Sequence, residues 1–450
     1  MVGFHLNFSG CQNRFLGVQN KARRQNASEA GVITSSAQLG GSMLHARDRQ
    51  LDGLRTLAVS TVLYAHFFAA DGSHWGHIGV RLFFVLSGFL ITRLLLEARS
   101  TTQFEPGIAI RSFYIRRALR IFPPYFAVLS FVWLVNLEDA RGSIKWHALY
   151  LSNFWYALRD EWTPWVLCHT WSLSIEEQFY VVWPLVILLA PRRWLEPICL
   201  ALIACSLAYR FYWPFTGTPS LARDLLPPAS MDALVSGALL ALHRARSPTL
   251  PHWMRLSSAP LLVASAILMW AKPLSLSPTL AWMNWIGLEV LPLIPLTALV
   301  GYCSSGLRGA PGRLLELSPI TAVGRISYGV YLFHPIVLSF VVSAQPWIPF
   351  NVSEQGFGRL ILATTGTLAL ATISWLAFEK PLNQFKRYFP YVPQSRQATD
   401  PSFGKPEGSG DLRFADPTYD APSATAISEA AQMQELQFST PLRVERCPPR

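Results

Sequence analysis

The 450-residue chain is 51% hydrophobic and only 14% charged, and its formal net charge is +11. Soluble domains carry about 25% charged residues, so this composition excludes an ordinary soluble enzyme and indicates a multi-span membrane protein. The positive charge does not require a nucleic-acid partner, and we expect none, because the cytoplasmic loops of membrane proteins gather Lys and Arg.

The chain is expected to divide into three regions. Residues 1–44 are polar and lack a long apolar run, so they are expected to be a disordered leader or the product of a mis-assigned start. Residues 45–388 contain the long apolar segments and form the membrane domain. Residues 389–450 are rich in Pro, Ser, Asp and Gly, and we expect a disordered cytoplasmic tail.

The apolar segments predict an all-α integral membrane protein with about ten transmembrane helices. If the N-terminus is inside, nearly all Arg and Lys residues fall in inner loops, so both termini are predicted to be cytoplasmic. If the apolar segment 144–158 were counted as a span, it would invert every later loop, so we expect it to be a re-entrant or interfacial piece of a long outer loop, 139–171, buried against protein. The ten predicted spans are 51–70, 78–97, 121–138, 172–190, 195–213, 229–243, 258–271, 281–302, 320–343 and 359–378.

The first span carries a cation, Arg55, near its start and an imidazole, His66, near its end. Eleven residues correspond to about three helical turns, so both side chains are predicted to share one face, roughly 16 Å apart along the axis. Polar groups on one stripe of a membrane helix indicate a polar pathway. Alternatively, Arg55 is an interfacial anchor and His66 an interfacial aromatic residue.

Other predicted spans also contain polar residues. Ser87 and Gly88 lie in the middle of the second span, where small residues favour close helix packing over direct catalysis. Asp232, a few residues into its span, indicates a polar interior. His334 lies in the outer half of the ninth span, and Glu379 follows the tenth.

Two adjacent carboxylates, Glu176 and Glu177, lie at the start of the fourth span, which the topology places on the outer side with His66. Adjacent helical residues diverge by about 100°, so at most one of the pair is predicted to face a central cavity. Alternatively, both stabilise the N-terminus of the helix through its dipole. Ser172 and Tyr180 add hydrogen-bonding groups to the same stretch.

Three arginines, Arg116, Arg117 and Arg120, precede the third span and are predicted to lie on the inner side. One explanation is that they are topogenic charge, which sets the orientation of the span in the membrane. The other is a phosphate site. Arg117 and Arg120 are neighbours on a helix, and Arg binds phosphate in a bidentate manner. The sequence contains neither a Walker loop nor a GxGxxG motif. The six cysteines have no metal-ligand spacing, so no metal is expected.

Six stretches in chain order resemble motifs of the acyltransferase-3 family: LDGLR with the Arg55–His66 spacing, GVRLFFVLSGFLI, FYIRRALRIFPPY, WSLSIEEQFYVVWP, SYGVYLFHP and FEKP. The resemblance extends from residue 49 to about 385. It implies ten core helices in the inner membrane of a bacterium. It also implies an O-acyltransferase that uses acyl-CoA, expected to be acetyl-CoA, as co-substrate and modifies a sugar-containing or other hydroxylated acceptor. The acceptor's identity and the oligomeric state stay open.

The family's motifs also imply roles for individual positions. His66 corresponds to the essential histidine, for which we expect a general base, and Arg55 is its motif partner. Glu176 and Glu177 match motif carboxylates whose roles are open. The expected catalytic residues are His66, Arg55, Glu176 and Glu177; the expected donor-binding residues are Arg117, Arg120 and Arg116; the expected supporting residues are Ser172, Tyr180, Ser87 and His334.

Two features depart from the common family pattern. Arg81 stands where many relatives carry an acidic or amide side chain, so its pairing is open. No segment resembles the esterase-like domain fused to some relatives, so a stand-alone transferase is expected.

The alternative from another class is a transporter whose path is lined by Arg55, His66 and Glu176, although the two halves of the chain show no repeat.

Overall fold

The computed structural model describes residues 49–69, 74–213, 220–270 and 287–391, and the regular secondary structure within these ranges is helical, without strands. The predicted leader lies outside the described residues, as does the predicted tail beyond residue 391. The helices in chain order are α1 (residues 49–67), α2 (Trp75–Arg99), α3 (Pro106–Val135), α4 (Ile144–Ala148), α5 (Ser152–Arg159), α6 (Thr170–Leu189), α7 (Arg192–Tyr212), α8 (Ala222–Leu225), α9 (Pro228–Arg244), α10 (His252–Trp270), α11 (residues 287–290), α12 (Leu293–Ser305), α13 (Ala310–Leu315), α14 (Ser318–Ser343), α15 (Phe357–Ser374) and α16 (Lys380–Gln384).

Within the described ranges, eight helical segments are long and apolar enough to cross a membrane. They correspond to eight of the ten predicted spans, although the first residues of the predicted span 281–302 lie outside the described part of the chain. The two other predicted spans coincide with α1 and α10, each of which has 19 described residues. The prediction of an all-α membrane protein is confirmed, whereas the cytoplasmic placement of both termini stays a prediction.

The outer faces of several helices expose large apolar side chains. Leu134 on α3 is 65% exposed, Val181 on α6 is 60% exposed and Ile361 on α15 is 65% exposed. A water-soluble protein rarely exposes apolar surface on this scale. Lipid tails accommodate it, since the helices satisfy their own backbone hydrogen bonds. The chain is therefore an integral membrane protein.

Helix α3 begins earlier than predicted, and this corrects the placement of the inner arginines. The predicted span starts at residue 121, but α3 starts at Pro106 and runs for 30 residues. Pro106 occupies the first turn, where its missing N–H is not needed by the helix. Arg116, Arg117 and Arg120 therefore lie on a helix rather than in a loop, and this fixes their relative positions.

The apolar segment 144–158 forms α4 and α5, of 5 and 8 residues, which are too short to cross a bilayer. Both helices pack beneath α6 through buried polar contacts. His147 Nδ1 lies 2.8 Å from Thr170 Oγ1, and Ser152 Oγ lies 2.8 Å from Ser174 Oγ. The prediction that this segment is buried against protein is confirmed, while its side of the membrane stays a prediction.

Helices α2 and α9 approach closely through two glycines. A Cβ added to Gly88 would meet the carbonyl oxygen of Leu234, and a Cβ added to Gly237 would meet that of Val85. Small residues allow membrane helices to pack at such short range because no side chain separates the backbones. The packing role predicted for this part of the second span is confirmed for Gly88.

A buried ion network lies at one end of this helix pair and answers the open question of Arg81. Arg81 donates to Asp232 Oδ2 at 2.8 Å and to Glu289 Oε2 at 3.3 Å. Arg210 approaches the same two carboxylate oxygens at 3.4 and 3.2 Å. His77 Nδ1 lies 2.6 Å from Glu289 Oε1. The two guanidinium groups balance the two carboxylates, as buried charges require, and the polar interior predicted from Asp232 is confirmed.

Candidate functional site

A cavity of about 330 Å³ lies among α1, α2, α3, α6 and α14. Its wall contains more cationic than anionic side chains, and we call it the arginine cavity. A recess lined mainly by one sign of charge attracts ligands of the opposite sign. The arginine cavity is therefore an anion site by its composition. Its charged lining residues are Arg55, Arg116, Arg117, Arg120, Lys386, Glu176 and Glu177.

Both Glu176 and Glu177 line the arginine cavity, which corrects two expectations. They lie with the arginines rather than with His66, and both of them line the cavity. They also stand in the second turn of α6, which begins at Thr170, so they are beyond the first turn where the helix dipole acts. Glu177 Oε1 lies 3.8 Å from Arg117 Nε, so one carboxylate partly balances the cationic wall.

The predicted supporting residues of α2 and α6 also line the arginine cavity. The Ser87 hydroxyl is hydrogen-bonded to the Tyr180 hydroxyl, whereas its neighbour Gly88 faces α9. The Tyr180 ring lies under Arg117, with 3.3 Å between the ring centroid and Cζ. Ser172 Oγ lies on the same wall. Arg117 is thus in contact with the Tyr180 ring and the Glu177 carboxylate.

The segment that follows α16 adds two residues to the arginine cavity that the sequence analysis missed, Lys386 and Tyr391. Arg116 Nη1 donates to the carbonyl oxygens of Lys386 at 2.8 Å and Phe389 at 3.3 Å, and its Cζ lies 5.0 Å from the Tyr391 ring. Burial raises the pKa of Tyr391, so the phenol stays neutral. Arg116 therefore fastens this segment as well as lining the cavity. The sequence analysis did not single out the basic residues that follow the last span.

A second cavity, of about 490 Å³, lies at the other end of α1, and we call it the histidine cavity. His66 lines it, so the one helix that carries Arg55 and His66 serves two separate cavities. The structure thus brings Arg55, Glu176 and Glu177 together but separates them from His66. The other polar and aromatic lining residues are His74, His77, His169, Trp162, Trp165, Trp171, Tyr331, Arg223, Asp224 and Glu289.

His66 is paired with His334, the supporting residue predicted on the ninth span. His66 Nδ1 lies 2.8 Å from His334 Nε2, and His334 Nδ1 lies 2.6 Å from the carbonyl oxygen of Tyr331. A carbonyl only accepts, so His334 Nδ1 must donate, and a neutral His334 then accepts at Nε2. His66 consequently donates through Nδ1, which leaves its Nε2 as the basic nitrogen.

The two cavities have Val80 and Tyr331 in common as lining residues. The Tyr331 hydroxyl lies 2.7 Å from Ser172 Oγ and donates to the carbonyl oxygen of His169 at 3.2 Å. This arrangement fixes the ring between the cavities. The two cavities are therefore adjacent, with Val80 and Tyr331 at their common boundary.

His169 is a further imidazole of the histidine cavity, and the sequence analysis did not single it out. Its side chain is only 2% exposed, lines the histidine cavity and lies 5.3 Å from His334 between ring centroids. Among the described residues neither of its ring nitrogens makes a hydrogen bond of good geometry, and one approaches the backbone of Leu332. Its position just before Thr170 and the motif that begins at Trp171 is the sequence feature that could have indicated a role for it.

The described residues contain no group of three or more His, Cys, Asp or Glu side chains that could hold a metal ion. The histidine cluster is instead connected through hydrogen bonds and ring contacts.

Comparison with known proteins identifies sequence relatives. A family model described as "Acyltransferase domain" matches residues 48–378. The Bacillus subtilis protein named "Putative peptidoglycan O-acetyltransferase YrhL" is 31% identical over 360 residues, 74% of this chain and 54% of that protein. Peptidoglycan O-acetyltransferase OatA of Listeria monocytogenes is 30% identical over 382 residues, 75% of this chain and 56% of that protein. The chain thus spans about half the length of these curated relatives, and no solved structure matches it.

Proposed function

Because the chain belongs to the acyltransferase-3 family, we propose that it is a membrane O-acyltransferase that moves an acetyl group from acetyl-CoA to a hydroxyl of a sugar-containing acceptor. The names of the relatives support an O-acetyl product, since two of them are called peptidoglycan O-acetyltransferases. The assignment of acetyl-CoA as the donor rests on the residues that line the arginine cavity.

The observation that carries the donor assignment is the charge of the arginine cavity. Five cationic side chains and two carboxylates line a volume of about 330 Å³. Placing so many like charges together is unfavourable unless a polyanion balances them. Coenzyme A carries a diphosphate and a further phosphate, and guanidinium groups bind phosphate through two parallel hydrogen bonds. Arg117 and Arg120 are the proposed direct contacts, whereas Arg55 is held by an ion pair with Asp52.

The distribution of charge along the chain supports a cytoplasmic mouth for the arginine cavity. Lys and Arg concentrate in the segments predicted to be inner, and α3, which contributes three of the cavity arginines, also carries Arg111. Acyl-CoA is made in the cytoplasm, so this orientation presents the cavity to the donor. We propose the bacterial inner membrane as the location.

The proposed chemistry uses Nε2 of His66 as the general base. The acceptor hydroxyl gives its proton to this nitrogen while its oxygen bonds to the acyl carbonyl carbon. The carbon–sulfur bond of the thioester then breaks, and the departing thiolate takes the proton from the imidazolium. An imidazole suits both transfers because its ordinary pKa of about 6.5 is near the working pH. His334 keeps the basic nitrogen directed away from their shared hydrogen bond.

This reaction requires the thioester end of the donor to reach the histidine cavity. Val80 and Tyr331 line both cavities, so their common boundary is the proposed route from the arginines to His66. Arg55 and His66 lie on one straight helix, roughly 16 Å apart along its axis. An extended pantetheine arm is of similar length, so we propose that it passes this boundary.

The test is an assay of the purified full chain in lipid nanodiscs with radiolabelled acetyl-CoA. Peptidoglycan fragments and other glycans serve as acceptors, and both CoA release and acceptor labelling are measured. We expect both signals in the wild-type protein and neither in His66→Ala. Absence of CoA release and labelling with every glycan and every small hydroxylated acceptor would contradict the proposal. Flux of a sugar into liposomes without acetyl-CoA consumption would instead favour a transporter.

A further inference from the structure

We infer that the histidine cavity is the acceptor subsite, and that His169 and Trp165 hold a sugar ring in it beside His66. The inference rests on the proposed function, because it assigns a place to the acceptor of that reaction. It does not follow from the family match, which gives neither the acceptor nor its site.

The charges of the two cavities differ, and the difference selects the class of ligand. The arginine cavity has an excess of cations. In the histidine cavity Arg223 is paired with Asp224 at 3.0 Å, and Glu289 is bound by His77 and two guanidinium groups. A balanced wall of donors and acceptors does not favour a phosphate. It suits neutral hydroxyl groups, which both donate and accept hydrogen bonds.

The aromatic side chains of the histidine cavity favour a ring. Trp162, Trp165 and Trp171 all line it, and the indole of Trp165 lies 6.0 Å from the imidazole of His66 between ring centroids. Indoles present a flat apolar face together with one N–H donor. A pyranose has matching apolar C–H faces and a rim of hydroxyls. The volume of about 490 Å³ lies within the range of small-molecule sites.

The buried imidazole of His169 is the second, independent indication of a ligand. This side chain is almost fully buried, and within the described residues neither ring nitrogen makes a hydrogen bond of good geometry beyond an approach to the backbone of Leu332. Leaving a buried polar group unsatisfied is unfavourable, so such groups in native proteins generally have a bound partner or a function. A neutral imidazole offers one donor and one acceptor. A sugar hydroxyl satisfies either of them.

The position of His169 relative to the base completes the argument. His169 and His66 line the same cavity, and the rings of both contact His334, at 5.3 and 4.9 Å between centroids. A ring hydrogen-bonded to His169 therefore has its neighbouring hydroxyls near Nε2 of His66. In this arrangement His169 binds the acceptor, and His66 removes the proton.

The experiment compares three variants of the full chain in nanodiscs, with acetyl-CoA as donor and chitotetraose as the sugar probe. His169→Leu removes the hydrogen-bonding imidazole, Trp165→Leu removes the indole face, and Trp146→Leu is the matched control, since Trp146 lines neither cavity. The KM for each substrate is measured. Saturation-transfer NMR detects chitotetraose binding without any turnover, and thermal unfolding monitors the fold.

We expect the KM for chitotetraose to rise roughly three- to tenfold in His169→Leu and in Trp165→Leu, the value of one hydrogen bond or one ring contact. The KM for acetyl-CoA should stay unchanged, and Trp146→Leu should behave as wild type. Saturation transfer to the sugar should fall in the same two variants. If His169→Leu does not fold, Trp165→Leu alone decides.

Four outcomes test this inference, and the last of them separates it from the proposed function. Unchanged sugar KM and unchanged saturation transfer in both variants would overturn the subsite, as would a wild-type protein that does not bind chitotetraose. A rise confined to the KM for acetyl-CoA would also overturn it. Sugar binding that depends on Trp165, without any acetyl transfer from acetyl-CoA, would support the subsite while contradicting the proposed reaction.

Discussion

The imidazoles of His66 and His334 are hydrogen-bonded Nδ1 to Nε2 at 2.8 Å, and their rings stack at 20° with 4.9 Å between centroids. The carbonyl oxygen of Tyr331 fixes the other nitrogen of His334 at 2.6 Å. The carbonyl oxygen of Tyr331, at one end of this chain of hydrogen bonds, can only accept. In the neutral rings the proton therefore lies on Nδ1 of His334 and on Nδ1 of His66, and the basic nitrogen is Nε2 of His66.

The first prediction follows from this assignment. We expect His66→Ala to lower the transfer rate roughly 10²- to 10⁴-fold, the usual effect of losing a general base, while donor binding stays intact. His334→Ala should cost only about tenfold in kcat, because one orienting hydrogen bond is lost. Steady-state kinetics in nanodiscs at matched protein levels measures both. A larger loss in His334→Ala than in His66→Ala would move the base to α14.

The second prediction concerns the arginines of α3. Arg117→Gln and Arg120→Gln should each raise the KM for acetyl-CoA roughly ten- to a hundredfold, because a charge-assisted contact contributes about 1.5–3 kcal/mol. Arg111→Gln is the matched control, since Arg111 is exposed on the same helix and outside the cavity. If all three variants insert normally and keep the wild-type KM, the donor site is not in the arginine cavity.

The third prediction tests the segment after α16. Lys386→Gln should raise the KM for acetyl-CoA, whereas Lys386→Arg should restore most of the affinity, because the cavity needs a positive charge at that place. The control is Lys380→Gln, at an exposed position of α16 that lines neither cavity. Equal effects of Lys386→Gln and Lys380→Gln would show that position 386 contributes no specific contact.

The fourth prediction concerns stability. Asp232→Asn leaves Arg81 and Arg210 with one carboxylate fewer in a fully buried place. Breaking a buried ion pair by removing one partner costs about 3–5 kcal/mol. Glu196→Gln breaks an exposed pair with Arg246 and should cost less than about 1 kcal/mol. Thermal unfolding in detergent compares the two; a similar small shift in both would mean that the network contributes little to stability.

Much of the fold follows from properties that depend only on local sequence. Whether a segment of about 20 residues is apolar enough to enter a bilayer is decided by that segment alone, which is why each predicted span coincides with a helix in its described part, although α3 begins earlier than predicted. The spacing of Arg55 and His66 along α1 is likewise a property of one regular helix. The class of protein and its family were therefore within reach of the sequence.

Only the tertiary structure decided which side chains meet. Glu176 and Glu177 join the arginines of α3, and His169 joins His66 and His334, across helices that are far apart in the sequence. Arg81 finds its two carboxylates on α9 and α11. Periodicity describes the faces of a single helix but not the rotation and depth at which its neighbours pack. Those are set by close contacts such as that of Gly88 with Leu234, because interiors are filled by the fit of specific side chains.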